Sequence, residues 1–273
     1  MGESDPRGDT WQAKGLPCTL RRRRSAGLSK PADPFHRSLA VFEETLEKPM
    51  DTMSEEEVVR QFKDLPTGWV TDALGRLELT GWSEGVYPLS RSFSRLAGRA
   101  VTVQYLPKRG SGPKVPNHYE VMRNIAQPGE VLIIAAAGTP CWLLGENQAH
   151  VAMYRGLAGI CVDGCVRDAD EVAELPLPVF ARGGGTRPYS THLDLTGVNV
   201  PVAFAGAQIR PGDIVVADCD GLVVVPGEHA QNVLLQTLDI AVIEKEMEEA
   251  IKRGASLDEI AGLSGRKKIV KKL

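Results

Sequence analysis

Apolar residues cluster along this chain with two different periods. Runs at 98–105, 131–135, 159–163, 178–181, 200–204, 214–217 and 222–225 are short, rich in β-branched and aliphatic residues, and punctuated by Gly, Pro or Asp. Those are the marks of strands. Helical spacing lies between and around them. Ser54 is a good N-cap; Glu55, Glu56 and Glu57 fill a first turn, and Val58, Val59 and Phe62 supply the apolar face. A second helix is predicted over 71–77, a long one over 228–253 and a short one over 256–261. Asp220-Gly221, between two β-branched runs, predicts a tight hairpin turn. Strands alternating with helices argue an α/β domain.

That periodic region spans residues 49–254. Residues 1–48 differ from it. They contain Arg21, Arg22, Arg23 and Arg24 in one run, several Pro and Gly, and no sustained period. Nine basic residues stand there against seven acidic ones, whereas the remainder has 23 against 28. A targeting or nucleic-acid-binding arm is one reading. A disordered extension, with Met50 or Met53 as the working start, is the reading the composition favours. Residues 255–273 form a C-terminal tail. Its basic end, Arg266 to Lys272, is expected to be solvated and frayed.

Composition narrows the function classes. Of 273 residues, 42% are hydrophobic and 25% charged, enough to build a core. A net charge of −3 gives no global attraction for nucleic acid. Five scattered cysteines, Cys18, Cys141, Cys161, Cys165 and Cys219, make neither a CxxC pair nor a disulfide framework, which fits a reducing cytoplasm. The longest uncharged apolar run, 131–145, is 15 residues and holds Gly138 and Pro140. A spanning helix needs about 20 apolar residues, so no membrane role is expected.

Candidate chemistry concentrates between Leu144 and Glu171, LGENQAHVAMYRGLAGICVDGCVRDADE. Gly145-Glu146 reads as a turn opening a helix with Ala149, Ala152 and Met153 on its apolar stripe. A short buried strand follows at 159–163. Arg167-Asp168 then emerges past its C-terminal end, the edge where α/β sheets bind ligands. Arg167 can hold a carboxylate with its planar fork, and the N–H groups of Asn147 and Gln148 at a helix start can hold the same anion. Glu146 and Asp168 offer the oxygen ligands that Mg²⁺ or Mn²⁺ prefers, directly or through water. Structural alternatives stand beside these roles. Asp168 with Glu171 also reads as a helix cap, Glu146 as a first-turn acid, and Arg167 as a surface ion-pair residue.

Glu146, twenty intervening residues, then Arg167-Asp168 resembles the G-[DE]-x20-R-[DE] signature of class II 4-hydroxy-4-methyl-2-oxoglutarate aldolases. These enzymes are also known as 4-carboxy-4-hydroxy-2-oxoadipate aldolases, and they share a superfamily with the regulator of ribonuclease activity A. Thr71-Asp72-Ala73-Leu74, the segment 97–103, Pro128-Gly129, Pro211-Gly212-Asp213 and the stretch 218–226 resemble further family landmarks, in family order. The likeness covers roughly 65–246. It implies a layered β/β/α sandwich of the swivelling-domain-like type, assembled as a homotrimer or homohexamer with sites at subunit boundaries. It implies a divalent metal at Asp168, with Glu146 orienting its waters, and pyruvate held by Arg167 and the amides after Glu146. This chain departs from the family at Ala135-Ala136-Ala137, at Asn147-Gln148, and in the Gly-rich basic segment 182–193, which bears on substrate more than on chemistry.

The reading that follows is a metal-dependent carbon–carbon lyase. It would cleave a 4-hydroxy-2-oxo acid to pyruvate and a second oxo acid, with oxaloacetate decarboxylation as a side activity. Two alternatives stay open: a non-catalytic regulator that binds a ribonuclease or helicase, and a superfamily enzyme with a different small substrate. Other features carry less. Gly183, Gly184 and Gly185 lack P-loop spacing and read as a flexible loop. Lys108 to Lys114, followed by Asn117 and His118, reads either as a contact for a distal carboxylate or as a solvated loop. His150 lies one helical turn after Glu146. Asp218 and Asp220 read as hairpin acids.

Overall fold

A computed structural model describes residues 53–109 and 117–272 of the chain. The expectations for residues 1–48 and for most of the 108–114 loop lie outside the described residues.

The described residues open with two helices, α1 (Glu55–Phe62) and α2 (Thr67–Arg76). Ser54 caps α1 as its sequence predicts, its Oγ accepting the Glu57 N–H at 3.2 Å. The predicted start of α2 at residue 71 is corrected to Thr67. No local cap marks that start. Instead Asp218, 151 residues away, accepts both the Thr67 N–H (2.9 Å) and the Thr67 hydroxyl (2.8 Å).

A mixed sheet follows. Its strands in chain order are β1 (Tyr87–Pro88), β2 (Leu96–Pro107), β3 (Val131–Ala135), β5 (Gly159–Val162), β7 (Val179–Ala181), β8 (Leu193–Val198), β11 (Ile214–Asp218) and β12 (Gly221–Val225). Across the sheet they run β1-β7-β5-β3-β2-β11-β12, with β8 also paired to β2. The centre, β2-β3-β5-β7, is parallel, and the flanking strands are antiparallel. The long β2 gives one edge to β3. Its other edge is shared, with β11 on Leu96 to Arg99 and β8 on the Val103 to Pro107 half. The β11–β12 hairpin forms as expected, but its turn is Cys219-Asp220, because Gly221 already pairs with Asp218.

Period-two alternation sorts the sheet residues into two faces. Leu132 and Ile134 of β3, Ile160 and Val162 of β5 and Val101 and Val103 of β2 pack beneath three helices: α3 (His118–Asn124), α4 (Glu146–Tyr154) and α5 (Ala169–Glu174). Ala97 and the odd face of the hairpin, Val223 and Val225, carry α1, α2 and the long α6 (Ala230–Lys252). Val131, Ile133, Cys161, Phe180 and Val215 point the other way, onto a small hairpin of β9 (Val202–Phe204) and β10 (Ala207–Ile209). The layers are therefore β/β/α, the arrangement the family resemblance implies. A last small layer, β4 (Trp142–Leu144) parallel to β6 (Cys165–Val166), sits past the C-terminal ends of β3 and β5.

The C-terminal segment corrects a second expectation. Helix α7 (Leu257–Arg266) is longer than predicted, and the basic end after it, solvent-exposed as expected, is tied to the domain where fraying was expected. Gln236 on α6 accepts the Lys271 N–H at 2.9 Å and donates to the Lys271 carbonyl at 2.8 Å. The buried Arg76 guanidinium donates to the carbonyls of Arg266 and Lys267. Among the described residues no helix is long and apolar enough to cross a membrane.

Candidate active site

The β4–β6 layer brings the sequence-predicted residues together. Arg167 N–H donates to the Leu144 carbonyl at 2.9 Å, so the segment after β6 runs beside the turn that starts α4. That turn is Gly145. A Cβ built there would lie 2.9 Å from Arg167 Nε and 3.0 Å from Asp168 Oδ2. A larger residue there would push these two side chains away from the helix start. Arg167 Nε and Asp168 Oδ2 are 3.4 Å apart, and the Glu146 N–H lies 3.4 Å from the same carboxylate oxygen. Glu146 continues onto α4, where its carboxylate meets His150 Nε2 at 3.5 Å, the one-turn pairing the spacing suggests.

Asp168 stands just ahead of α5, where a cap would stand, yet its side chain makes no capping bond. Its φ is +53°, a left-handed conformation that costs a non-glycine residue roughly 1 kcal/mol or more. A carboxylate held there is directed at Arg167 and Gly145 in place of its own helix. The capping alternative from the sequence is thus corrected.

Asn147 and Gln148 separate. The Asn147 N–H is one of the helix-start donors with no intrahelical partner. Gln148 does not offer a free N–H as expected, because that group bonds back to the Gly145 carbonyl at 3.1 Å. Its side chain turns inward. Oε1 accepts the Gly145 N–H at 3.3 Å and Nε2 meets His118 Nε2 at 3.0 Å.

Two residues at the site, Trp142 and Tyr189, were not singled out for it by sequence reasoning, and a third, His118, lies elsewhere than expected. Trp142 lies under Arg167, with the guanidinium carbon 4.3 Å from the ring centroid, a cation–π contact that fixes the plane of the fork. Tyr189 packs edge-on against Trp142 at 5.8 Å. His118 is fully buried behind them, 2.7 Å from the Tyr105 hydroxyl through Nδ1, and burial pushes its pKa down to about 4. That position removes His118 from any direct role on a distal carboxylate. Burial likewise pushes the hydroxyl of Tyr105 and the thiol of Cys161 upward.

The glycine-rich segment is also corrected. It is zipped onto the small layer: Val166 N–H donates to Gly183, Gly185 N–H to Val166, and Trp142 N–H to Arg187. A Cβ at Gly185 would meet Cys165 Cβ at 2.6 Å, so glycine serves close approach there. Lys108 is held at 3.6 Å by Asp194. Asp163, at the end of β5, is buried against Arg182 at 2.6 Å and belongs to the scaffold. Asp218 is the cap of α2, as a structural hairpin acid would be. Among the described residues no group of three or more His, Cys, Asp or Glu side chains gathers as a metal cage.

The profile of the RraA-like family, described as Aldolase/RraA, matches residues 67–224. The chain belongs to the RraA-like family. Among its relatives is a Halalkalibacterium halodurans protein named "Putative 4-hydroxy-4-methyl-2-oxoglutarate aldolase", 33% identical over 205 residues that cover 73% of this chain and 91% of that one. Another is the Legionella pneumophila protein DlpA, 28% identical over 214 residues. Those residues are 77% of this chain and 34% of DlpA, so this RraA-like chain matches about one third of that protein's length. A crystal structure of Streptomyces coelicolor RraAS2, described as an unusual member of the RNase ES inhibitor RraA protein family, superposes with a TM-score of 0.61 at 32% identity. The superposition covers 72% of this chain and 96% of RraAS2.

Proposed function

We propose that this RraA-like chain is a divalent-metal-dependent carbon–carbon lyase that releases pyruvate from a 4-hydroxy-2-oxo acid. The observation that carries the proposal is the meeting of Arg167 and Asp168 over Gly145, with Asp168 held left-handed, making no capping bond to its own helix, and facing the Glu146 N–H at the start of α4. A cap or a surface ion pair needs no such strain. The aldolase name of the Halalkalibacterium halodurans relative supports the same reading.

The donor set fits a hydrated Mg²⁺ or Mn²⁺. Asp168 and Glu146 are both part-exposed carboxylates, and a magnesium site uses one or two of these with waters completing an octahedron. Such an ion, when bound, supplies positive charge beside the substrate's 2-oxo group. The chain's own residues do the rest. Arg167, its fork set by Trp142, holds the C1 carboxylate and faces the oxygen where charge develops. The Asn147 N–H adds a helix-start donor to the same anion. Cleavage breaks C3–C4. The C4 hydroxyl proton leaves to water, the C4 oxygen becomes a carbonyl, the bonding pair forms the pyruvate enolate, and a proton returned from water to C3 gives pyruvate. Stabilising that charge is where a preorganised site gains most. Loss of CO₂ from oxaloacetate leaves the same enolate, so decarboxylation is expected as a side activity.

Coupling pyruvate release to lactate dehydrogenase tests the proposal. EDTA should abolish turnover of oxaloacetate and of 4-hydroxy-4-methyl-2-oxoglutarate, and Mg²⁺ or Mn²⁺ should restore it. Arg167→Lys should lower kcat by about 10²-fold or more with an unchanged circular dichroism spectrum. Turnover that persists in EDTA, or a lysine variant within a few-fold of wild type, overturns the assignment. The likeness to RraAS2 favours a second reading, a non-catalytic ribonuclease regulator. Inhibition of a ribonuclease by a chain that releases no pyruvate would establish it.

A further inference from the structure

A buried hydrogen-bonded line runs behind the site. The Gly145 N–H donates to Gln148 Oε1 at 3.3 Å, which turns the Gln148 NH₂ toward His118 Nε2 at 3.0 Å. His118 Nε2 must then accept, and the ring proton sits on Nδ1, donating to the Tyr105 oxygen at 2.7 Å. The His118 backbone N–H donates to the same oxygen at 3.2 Å. Tyr105 is itself buried and meets Tyr189 edge-on at 5.4 Å. Tyr189 in turn packs on Trp142, which carries Arg167. The line therefore joins both walls of the site, the helix start on one side and the arginine platform on the other.

A core histidine kept only for packing would not need this orientation. Its ring is bound to Tyr105 through Nδ1 and to Gln148 through Nε2, beside the Leu143 backbone carbonyl, and Gln148 is the residue that fixes the Gly145 turn. Without an acceptor at His118, the half-buried Gln148 NH₂ loses its inward partner. It recovers a partner by rotating outward, and that rotation frees Gly145 N–H and loosens the first turn of α4.

We propose that His118 is a positioning residue for the anion end of the substrate, acting through Gln148 on the start of α4. The proposal rests on the reading of that helix start, with Arg167, as the anion site. It assigns the two nitrogens different duties. The Nε2 side serves binding, and the Nδ1 side serves the core.

Two substitutions separate the duties. His118→Gln places an amide near the former Nε2 and can still accept from Gln148. His118→Asn places its amide near the former Nδ1 and reaches only Tyr105. Oxalate, a planar mimic of the pyruvate enolate, is the probe, titrated by calorimetry with Mg²⁺ present. His118→Asn should weaken oxalate about tenfold, the effect of one lost hydrogen bond. His118→Gln should stay within about threefold of wild type. Thermal melting should fall in both. On oxaloacetate, KM should rise in the asparagine variant with kcat little changed, since the lost interaction is uniform.

Asparagine binding at wild-type affinity, or both variants losing affinity in step with melting temperature, overturns the proposal. If neither variant folds, Gln148→Leu at the part-exposed end of the line takes their place. Tenfold weaker oxalate binding there supports the proposal, and unchanged binding overturns it. Arg167→Ala is the control for the site itself. If wild type fails to bind oxalate, or Arg167→Ala binds it equally well, the site reading falls and this inference with it. If Arg167 matters and His118→Asn does not, this inference alone falls.

Discussion

His118 sits fully buried with its pKa lowered to about 4, chiefly by loss of solvation. The sign of the resulting pH dependence is fixed. Between the ordinary imidazole value of about 6.5 and pH 4, the unfolded chain takes up a proton that the folded chain refuses. This contribution to stability is therefore full above about pH 6.5 and drains as pH falls, by about 3 kcal/mol at the lower limit. Urea unfolding at pH 7, 5.5 and 4.5 should show the decline, and His118→Gln should flatten it by one proton's worth of slope. An identical slope in the variant would place the proton uptake elsewhere. At this scale the sequence was informative about Glu146, Arg167 and Asp168, because their spacing puts them at a helix start and a strand end. It was silent about Trp142, Tyr189 and the inward turn of Gln148. Those depend on which side chains meet across the small β4–β6 layer, and no local period encodes that.

Elements were legible where their stabilising contacts are local. The capped start of α1 and the limits of β3 could be read directly, since a serine cap and an apolar run suffice. Short strands such as β4 and β6, of three and two residues, carry too few positions to show a period. The start of α2 was misplaced by four residues because Asp218, from the far hairpin, does the work of a local cap. The same carboxylate also accepts the Asp220 N–H at 3.0 Å, so one buried group closes a helix and a hairpin turn together. Asp218→Ala should cost about 1–3 kcal/mol, the range for a lost cap that leaves buried donors unpaired. Equilibrium denaturation should show a lower midpoint with an unchanged slope, and oxalate affinity in the folded range should match wild type, since the hairpin lies across the sheet order from β5. A loss below 0.5 kcal/mol would show that water replaces the carboxylate at Thr67. The docked end of the chain was missed for a related reason: Arg76 and Gln236, which hold it, lie 191 and 35 residues before their partners.

For the whole molecule, the layered architecture was accessible through the family resemblance, but one chain does not display its assembly. The site is open on this chain. Arg167 and Asp168 keep 49% and 43% of their side chains exposed, although the proposed chemistry gains from a dry, low-dielectric surround. Two unit charges 4 Å apart interact by about 1 kcal/mol in bulk water and about 4 kcal/mol at an effective dielectric of 20. A site covered by a second copy would thus act with several times the field of an uncovered one. The surface offers apolar groups for such a contact. Tyr154, 91% exposed, ends the same helix whose start forms the site, and Trp82 and Tyr87 are also exposed. Large aromatics left bare on a single chain favour burial between subunits. The family resemblance implies a homotrimer or homohexamer, and sedimentation at micromolar concentration tests for it. Specific activity on oxaloacetate should fall as dilution splits the oligomer, and the loss should reverse on reconcentration. Arg167→Lys should leave the sedimentation profile unchanged, which separates a damaged site from a damaged assembly. A monomer that keeps full specific activity at nanomolar concentration would mean that the open face completes its chemistry without a neighbour, and that the exposed aromatics serve some other contact.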